Sequence, residues 1–323
     1  MVSLAEICFE SSHLFSWFHH LFFIITLIIY NENMQRSQLP QRKFGTTGEM
    51  VSIIGFGGLI LSGMPQKEAD LLVDEAFGAG VNFFDVAPTY GDAELKLGPA
   101  IKSIRSKILL SCKTTCRDKQ GAWKQLHESL KRIKTDYFDF YVLHGLVDPE
   151  KDAGRACGED GTLAAALEAQ KAGLVRYIGF SAHTSEAMRV AFNAYNFDLM
   201  MFPINAFCYY TSNYGEEALE VAKRHGACIV ALKALAKQRW PQVANRTEYP
   251  NCWYEPTTEQ KLALIALSWA YDRGIDTLIP PADIRLFRLA LGIASQAAAS
   301  APTYEEIEIL KKTARTVNPI FST

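Results

Sequence analysis

Residues 81–113 read VNFFDVAPTYGDAELKLGPAIKSIRSKILLSCK. They begin with a short apolar run, Val81–Asp85, and end with a second one, Ile108–Lys113. Between the two lies Ala93–Ile104, where apolar residues recur at helical spacing. A strand, a helix and a second strand in this order predict one unit of a parallel β-sheet, because parallel strands need a crossover connection.

The same alternation continues on both sides of this unit. Six further runs have strand character: Val51–Phe56, Phe138–His144, Val175–Ser181, Leu199–Ile204, Cys228–Leu232 and Thr277–Pro280. Helical patterns accompany them: Lys67–Phe77, Ala122–Ile133, Leu163–Lys171, Ser185–Ala194, Gly215–His225 and Thr257–Arg273. Eight strands that alternate with helices predict a (β/α)8 TIM barrel. The residues Arg42–Val51, which bend at Gly45 and Gly48, predict a β-hairpin ahead of the barrel.

An open, doubly wound sheet is the other common arrangement for alternating strands and helices. Such a sheet typically carries the pattern Gly-x-Gly-x-x-Gly after its first strand. Here Gly55 and Gly57 stand at the end of the first run, but Ile60 occupies the position of the third glycine. The sequence therefore favours the closed barrel.

The charge composition excludes one class of partner. The chain has 323 residues, with 33 Lys and Arg against 35 Asp and Glu, which gives a formal net charge of −2. Without a basic field to hold a phosphate backbone, we expect no nucleic-acid binding. The seven cysteines are scattered, and Cys112 and Cys116 lack a second pair at metal-binding spacing. We therefore expect reduced thiols, no metal and a cytoplasmic protein.

The first residues form a different compositional segment. Ser11–Tyr30 contains no charged residue but is interrupted by histidines, and no Lys or Arg precedes it. This pattern predicts a division into a leader over residues 1–41 and a barrel over residues 42–323. We favour Met34 as the natural start of translation, so that residues 1–33 are upstream sequence or a disordered leader. A membrane anchor through residues 11–30, or a helix packed on the barrel, are the alternatives.

Chemically capable side chains follow several of the predicted strands. In a barrel of this kind, catalytic groups stand at the carboxyl ends of the strands. Those positions hold Asp85 and Tyr90, then Lys113, then His144 on three successive strands. Further round the barrel come Ser181, His183, Asn205 and Lys233. Charged groups at buried positions are costly unless they have partners, so we expect the first set to act together.

The motifs that contain these residues resemble the aldo-keto reductases. The resemblance rests on N-F-F-D-V-A-P-T-Y-G from Asn82, S-C-K-T from Ser111, Y-V-L-H from Tyr141 and K-A-G-L-V-R-Y-I-G-F-S from Lys171. It extends from about residue 42 to about residue 290 and implies a (β/α)8 oxidoreductase. It also implies that the family's catalytic tetrad consists of Asp85, Tyr90, Lys113 and His144.

Elementary chemistry agrees with these roles. Reducing a carbonyl with a nicotinamide hydride leaves negative charge on oxygen, so a proton donor must stand beside it. We expect Tyr90 to be that acid, with Lys113 lowering its pKa and Asp85 holding Lys113 charged and in place. His144 is expected to donate a hydrogen bond that orients the carbonyl.

The resemblance implies a dinucleotide site with several departures from the family's pattern. Ser181 matches the serine that holds the nicotinamide amide, whereas Ala182 replaces an asparagine. Met201 stands where glutamine is usual, and Leu232 where a tyrosine stacks on the nicotinamide. The phosphate loop is I-P-P-A-D from Ile279 and includes Pro280. Two arginines, Arg285 and Arg288, follow this loop and favour NADP(H) over NAD(H), because a guanidinium group can bind the additional phosphate.

The sequence therefore predicts an enzyme that transfers hydride between NAD(P)H and a small aldehyde, ketone or alcohol. Two alternatives belong to other classes. The first is a barrel that binds NADP(H) and regulates a partner without turnover, which the departures in the dinucleotide site keep open. The second is a metal-dependent hydrolase using Asp85, His144 and His183, which would need paired histidines on the first strand, where Ile53–Gly58 has none.

Overall fold

The computed structural model describes residues 38–322 except residues 243 and 245. Of the predicted leader over residues 1–41, residues 1–37, which include the apolar segment 11–30, lie outside the described residues. Within the described part of the chain, no helix has both the length and the apolar character that a membrane crossing requires.

An eight-stranded parallel sheet forms the centre of the fold. A hairpin precedes it, with strands β1 (Gln41–Lys43) and β2 (Met50–Ser52). The sheet contains β3 (Phe56–Gly57), β4 (Phe83–Val86), β5 (Leu109–Thr114), β6 (Phe138–Leu146), β7 (Val175–Ala182), β8 (Leu199–Pro203), β9 (Cys228–Leu232) and β12 (Thr277–Ile279). A parallel bridge between Ile54 and Leu278 joins its two edges. The predicted (β/α)8 barrel with an N-terminal hairpin is confirmed.

Helices surround the sheet and connect successive strands. They are α1 (Gln66–Gly78), α2 (Ala93–Ile101), α3 (Lys119–Ile133), α4 (Thr162–Lys171), α5 (Ser185–Ala194), α6 (Ala206–Ser212), α7 (Glu216–His225), α8 (Gln260–Asp272), α9 (Ile284–Ala299) and α10 (Tyr304–Ala314). A π-helical turn, Pro149–Gly154, runs into a short helical turn, Arg155–Cys157. A small antiparallel hairpin, β10 (Ala236–Arg239) with β11 (Tyr254–Pro256), occupies the long connection after β9.

The predicted first strand, Val51–Phe56, is divided in the structure. Its beginning belongs to the hairpin as β2, and only Phe56 and Gly57 pair with β4. The cause is Asn82, whose side chain accepts from the Ser52 N–H at 2.8 Å and donates to the Met50 carbonyl at 2.8 Å. These two bonds hold the hairpin below the barrel, so the chain must turn before it enters the sheet.

Successive side chains along each strand point to opposite faces of the sheet and form two separate apolar cores. Every second side chain points into the barrel, where an inner cluster packs: Phe44, Val51, Phe83, Leu109, Phe140, Val142, Leu199, Met201, Cys228 and Val230. The side chains between them, such as Phe84, Leu110 and Tyr141, pack against the helices. The barrel interior is thus filled by side chains from its lower end upward.

The hairpin turn closes the lower end of the barrel. The Phe44 ring enters the inner cluster, with its centroid 5.4 Å from that of Phe83 and 5.3 Å from that of Phe140. The next residue, Gly45, has a φ of +51°, and a Cβ there would lie 2.6 Å from the Cys228 backbone nitrogen. Glycine is therefore needed at this position for its conformation and for the close approach of β9.

We expect Gly45→Ala to destabilise the barrel more than Gly48→Ala does. Gly48 also has a positive φ, of +82°, but a Cβ there would meet nothing within 4 Å. Gly48→Ala should therefore cost only the backbone strain, about 1–2 kcal/mol. Gly45→Ala should add about 1–3 kcal/mol of steric cost to that strain. Urea unfolding of both variants measures the difference in the free energy of unfolding. Equal losses of this free energy would show that the structure accommodates the close contact with Cys228 at no energetic cost.

Candidate active site

The alternation that fills the barrel also determines which side chains reach its upper end. Asp85 follows Phe83 by two residues, His144 follows Val142 by two, and Leu232 follows Val230 by two. These side chains therefore point inward, one layer above the inner cluster. Lys113 and Ser181 occupy the corresponding positions on β5 and β7.

These inward side chains border a cavity of about 270 Å³ at the carboxyl ends of the strands. Its lining consists of Gly57, Leu59, Asp85, Tyr90, Lys113, His144, Ser181, His183, Leu232, Lys233, Asn251, Trp253, Tyr254, Ile279, Pro280, Pro281 and Ala282. Nine of the candidate site residues from the sequence are thus brought together: Asp85, Tyr90, Lys113, His144, Ser181, His183, Leu232, Lys233 and Pro280. Met201, Arg285 and Arg288 are not among the lining residues.

A buried ion pair joins Asp85 and Lys113, and each side chain is only 2% exposed. The second Asp85 oxygen accepts a hydrogen bond from the Ser111 hydroxyl at 3.0 Å. Burial alone would favour loss of the Lys113 proton, but the Asp85 carboxylate and Tyr90 together outweigh it and raise the pKa of Lys113. Lys113 therefore remains a cation inside the cavity.

Tyr90 stands beside this cation. Lys113 donates a hydrogen bond to the Tyr90 hydroxyl at 3.2 Å. Burial raises the pKa of Tyr90 above its ordinary value, and the opposing effect of Lys113 is smaller. Lys113 lowers the pKa of Tyr90, as expected, but burial raises it by more, because the tyrosinate loses more hydration than one nearby ammonium replaces. Tyr90 consequently keeps its proton throughout the neutral pH range.

His144 completes the group and is a neutral imidazole. Its ring meets that of Tyr90 edge to face, with centroids 6.0 Å apart. Burial, followed by the charge of Lys113, lowers the pKa of His144 to about 2. Among the described residues, its Nδ1 has no hydrogen-bond partner. Arg117 donates to the His144 carbonyl at 2.9 Å and thereby holds the end of β6 in place.

One wall of the cavity fits the nicotinamide end of a dinucleotide. The Ser181 hydroxyl accepts from the Gly145 N–H at 2.7 Å, and Gly145 has a φ of +66° that turns the chain just after His144. Leu232, Ile279 and Pro280 supply apolar surface beside this hydroxyl. A flat ring that carries one amide matches such a surface, because it needs apolar contact and few polar partners.

Met201, Arg285 and Arg288, which the sequence assigned to the dinucleotide site, do not line this cavity. Met201 is fully buried in the inner cluster. Arg285 donates to both carboxylate oxygens of Asp283, at 3.0 and 2.9 Å, and Asp283 also caps α9. Arg288 forms a bidentate pair with Glu75, at 2.8 and 2.7 Å. A phosphate would have to compete with these carboxylates for the two guanidinium groups.

Several residues of the site were not assigned a role from the sequence. Ser111 was quoted only as part of a motif, yet its hydroxyl binds Asp85. Asn205 holds the loop after β9, because its amide donates to the carbonyls of Lys233 and Ala236 at 2.9 and 2.7 Å. Of the aromatic residues in the long loops, Trp253 and Tyr254 line the cavity. Inward alternation was the available signal for Ser111, and the length of the loop after β9 was the available signal for Trp253.

Comparison with known proteins agrees with this geometry. The model of the aldo/keto reductase family matches residues 53–284. The chain belongs to the aldo/keto reductase family. Members of this family are oxidoreductases that use nicotinamide cofactors and act on small carbonyl compounds. The described residues contain no cluster of histidine, cysteine or acidic side chains arranged to hold a metal ion.

Individual relatives are distant. The chain is 29% identical over 213 residues to the uncharacterized oxidoreductase YqkF of Bacillus subtilis, which covers 62% of this chain and 66% of that protein. It is 31% identical over 161 residues to L-galactose dehydrogenase of Arabidopsis thaliana, covering 45% and 49% respectively. These alignments thus span about half to two thirds of the relatives' length.

The fold has close counterparts among solved structures. The holo form of aldo-keto reductase AKR11C1 from Bacillus halodurans superposes with a TM-score of 0.66 at 22% identity. That match covers 87% of this chain and 98% of the other. It establishes a shared barrel architecture.

We expect His144 to remain neutral across the physiological pH range. Its pKa of about 2 means that the imidazole gains a proton only in strong acid, well below the ordinary value of 6.5. The ¹H–¹³C resonance of the His144 ring, assigned by comparison with His144→Asn, should therefore not move between about pH 5 and 8. A midpoint near 6.5 would contradict the buried, cation-flanked environment of this ring.

Proposed function

We propose that this aldo/keto reductase reduces an aldehyde or ketone with a nicotinamide dinucleotide, or oxidises the corresponding alcohol. One observation carries the proposal: a single ammonium, that of Lys113, contacts both the Asp85 carboxylate and the Tyr90 hydroxyl. Tyr90 and a neutral His144 line the same cavity. This combination supplies a proton, a charge that stabilises its loss, and a neutral hydrogen-bond donor.

The roles of the side chains follow from where charge develops. When bound, the dinucleotide supplies hydride to the carbonyl carbon. Tyr90 donates its proton to the carbonyl oxygen as that oxygen becomes an alkoxide. Lys113 stabilises the tyrosinate that remains, and Asp85 keeps Lys113 charged after the proton has left. His144 donates a hydrogen bond to the carbonyl oxygen, which polarises and orients it.

The raised pKa of Tyr90 predicts how each direction of the reaction depends on pH. Because burial raises this pKa above 10.0, the hydroxyl is protonated at neutral pH and ready to act as an acid. Reduction should therefore persist to high pH and decline only when Tyr90 ionises. Oxidation needs the tyrosinate as base, so its rate should increase with pH over the same range.

We further propose NADP(H) as the preferred cofactor over NAD(H). Ser181, Leu232 and Pro280 would contact the nicotinamide end, and Arg285 and Arg288 follow the Ile279–Asp283 loop on α9. Both guanidinium groups are more than half exposed, at 56% and 59%, so each can turn from its carboxylate toward a phosphate. Exchanging one anion for another gives little net energy, which implies a mild preference.

Tyr90→Phe tests the catalytic proposal. The substitution keeps the ring and its packing against His144 but removes the proposed proton donor. We expect the reduction rate at saturating cofactor to drop by a factor of about 10²–10⁴. Dinucleotide affinity, measured by quenching of intrinsic fluorescence, should stay within severalfold of the parent protein. Tyr210→Phe is the matched control, because Tyr210 packs against Trp269 and does not line the cavity.

The same experiment separates catalysis from binding without turnover. A parent protein that binds dinucleotide but reduces no member of a carbonyl panel would favour a regulatory barrel. A Tyr90→Phe rate within a few-fold of the parent would show that Tyr90 is not the acid.

Replacing Arg285 and Arg288 together by alanine tests the cofactor preference. If the two side chains contact the 2′-phosphate, NADPH affinity should decrease severalfold while NADH affinity changes little. Arg189→Ala is the control, since Arg189 is another exposed arginine held by two carboxylates, at 2.8 and 2.9 Å. Equal weakening of both dinucleotides would show that neither arginine reads the 2′-phosphate.

A further inference from the structure

The charges that line the cavity do not balance. Its charged members are Asp85, Lys113 and Lys233, and Asp85 already neutralises Lys113. The two histidines contribute no charge, because burial lowers the pKa of His144 to about 2 and that of His183 to about 3. The ammonium of Lys233 is therefore an excess positive charge inside the cavity.

The neighbours of Lys233 are neutral. Its Nζ lies 3.4 Å from Nε2 of His183, 6.0 Å from the Trp253 ring centroid and 5.9 Å from that of Phe321. In the described part of the chain, no carboxylate forms an ion pair with it. Aromatic faces at this distance offset only part of the hydration that a cation loses. In agreement with this, burial and then the charge of Lys113 lower the pKa of Lys233 to about 8.

The backbone fixes this lysine at an energetic cost. Lys233 has a φ of +60°, in the left-handed region that favours glycine. The Asn205 amide holds the loop in this conformation by donating to the Lys233 carbonyl at 2.9 Å. A strained backbone persists only where its surroundings determine it, and such positions cluster at ligand sites. The side chain is thus presented to the cavity from a backbone position that Asn205 holds in place.

We propose that Lys233 binds a carboxylate of the substrate, so that the carbonyl compounds reduced here are anionic. This inference rests on the proposed function and specifies its substrate class. The carboxylate would supply the negative charge that the cavity lacks, and the rings of Trp253 and Phe321 would border the pair. His183 would complete the polar side of this subsite.

The position of Lys233 favours the substrate over the cofactor as the source of the anion. The charge of Lys233 is among the causes that depress the pKa of His144, so the ammonium lies within electrostatic range of the group that orients the carbonyl. The part of a dinucleotide that must reach the reacting carbonyl for hydride transfer is the nicotinamide ring, which carries no anionic group. A small substrate, in contrast, can carry its carboxylate into this region.

A pair of aldehydes that differ only in charge tests the proposal: 4-formylbenzoate and its methyl ester. Lys233→Met removes the charge and keeps an unbranched stem, so it adds no new strain at the left-handed position. We expect this variant to raise the KM for 4-formylbenzoate by about tenfold or more relative to the KM for the ester. Lys233→Arg should restore most of the discrimination. Lys237→Met is the control, because Lys237 pairs with Glu255 at 3.1 Å and does not line the cavity.

Direct binding keeps the test independent of turnover. Calorimetric titration of 4-formylbenzoate into protein loaded with the oxidised dinucleotide, which cannot reduce the aldehyde, should show tight binding to the parent and weak binding to Lys233→Met. A parent protein that reduces neither aldehyde would count against the proposed function, whereas the titration would still decide the role of Lys233. Equal effects on the two aldehydes, or none, would overturn the proposal. A loss of dinucleotide affinity without discrimination between the aldehydes would also overturn it, and would assign Lys233 to a cofactor phosphate.

Discussion

The buried pair of Asp85 and Lys113 is the constraint around which the upper half of the barrel is organised. Each ion would cost several kcal/mol to bury alone, so neither can occupy its position without the other. The two strands that carry them are adjacent, and their register places Asp85 opposite Ser111. The Ser111 hydroxyl can therefore donate a hydrogen bond to the second oxygen of the Asp85 carboxylate. With its charge secured, Lys113 can direct a second hydrogen bond to Tyr90. Tyr90, the proposed proton donor, therefore depends on an ion pair in which it takes no part.

The apolar barrel below this pair makes its geometry rigid. Aromatic side chains fill the interior up to the layer of Phe83 and Phe140, and Phe44 from the hairpin packs against both. A densely packed interior leaves the inward residues of the next layer little freedom to move. The hairpin thus serves the site from the opposite end of the barrel, because it completes the packing on which the positions of Asp85, Lys113 and His144 rest.

Two lysines in one cavity have opposite electrostatic surroundings. Lys113 has a carboxylate partner, and its pKa is raised; Lys233 has neutral neighbours, and its pKa is lowered to about 8. The charge of Lys113 is neutralised by a carboxylate of the same chain, which suits the proposed catalytic role, because that charge must persist through the reaction. The charge of Lys233 is neutralised only when an anion enters the cavity, which suits the proposed recognition of a substrate carboxylate. Arg285 and Arg288, in contrast, are exposed and already hold carboxylates, which the proposed cofactor phosphate would have to displace.

The sequence by itself determined the barrel, its hairpin and the residues of the central group. These follow from local regularities: apolar runs at strand spacing, helical patterns between them, and polar residues at the strand ends. The tertiary structure alone decided the direction of the Tyr90 pKa, the burial of Met201, the carboxylate partners of the arginines and the isolation of Lys233. Most of these depend on residues far apart in the chain, as with Arg288 and Glu75, which are separated by 213 positions, whereas Arg285 and Asp283 are only two positions apart. The net charge of a cavity and the hydration lost inside it are sums over such distant neighbours, and no local pattern of residues contains them.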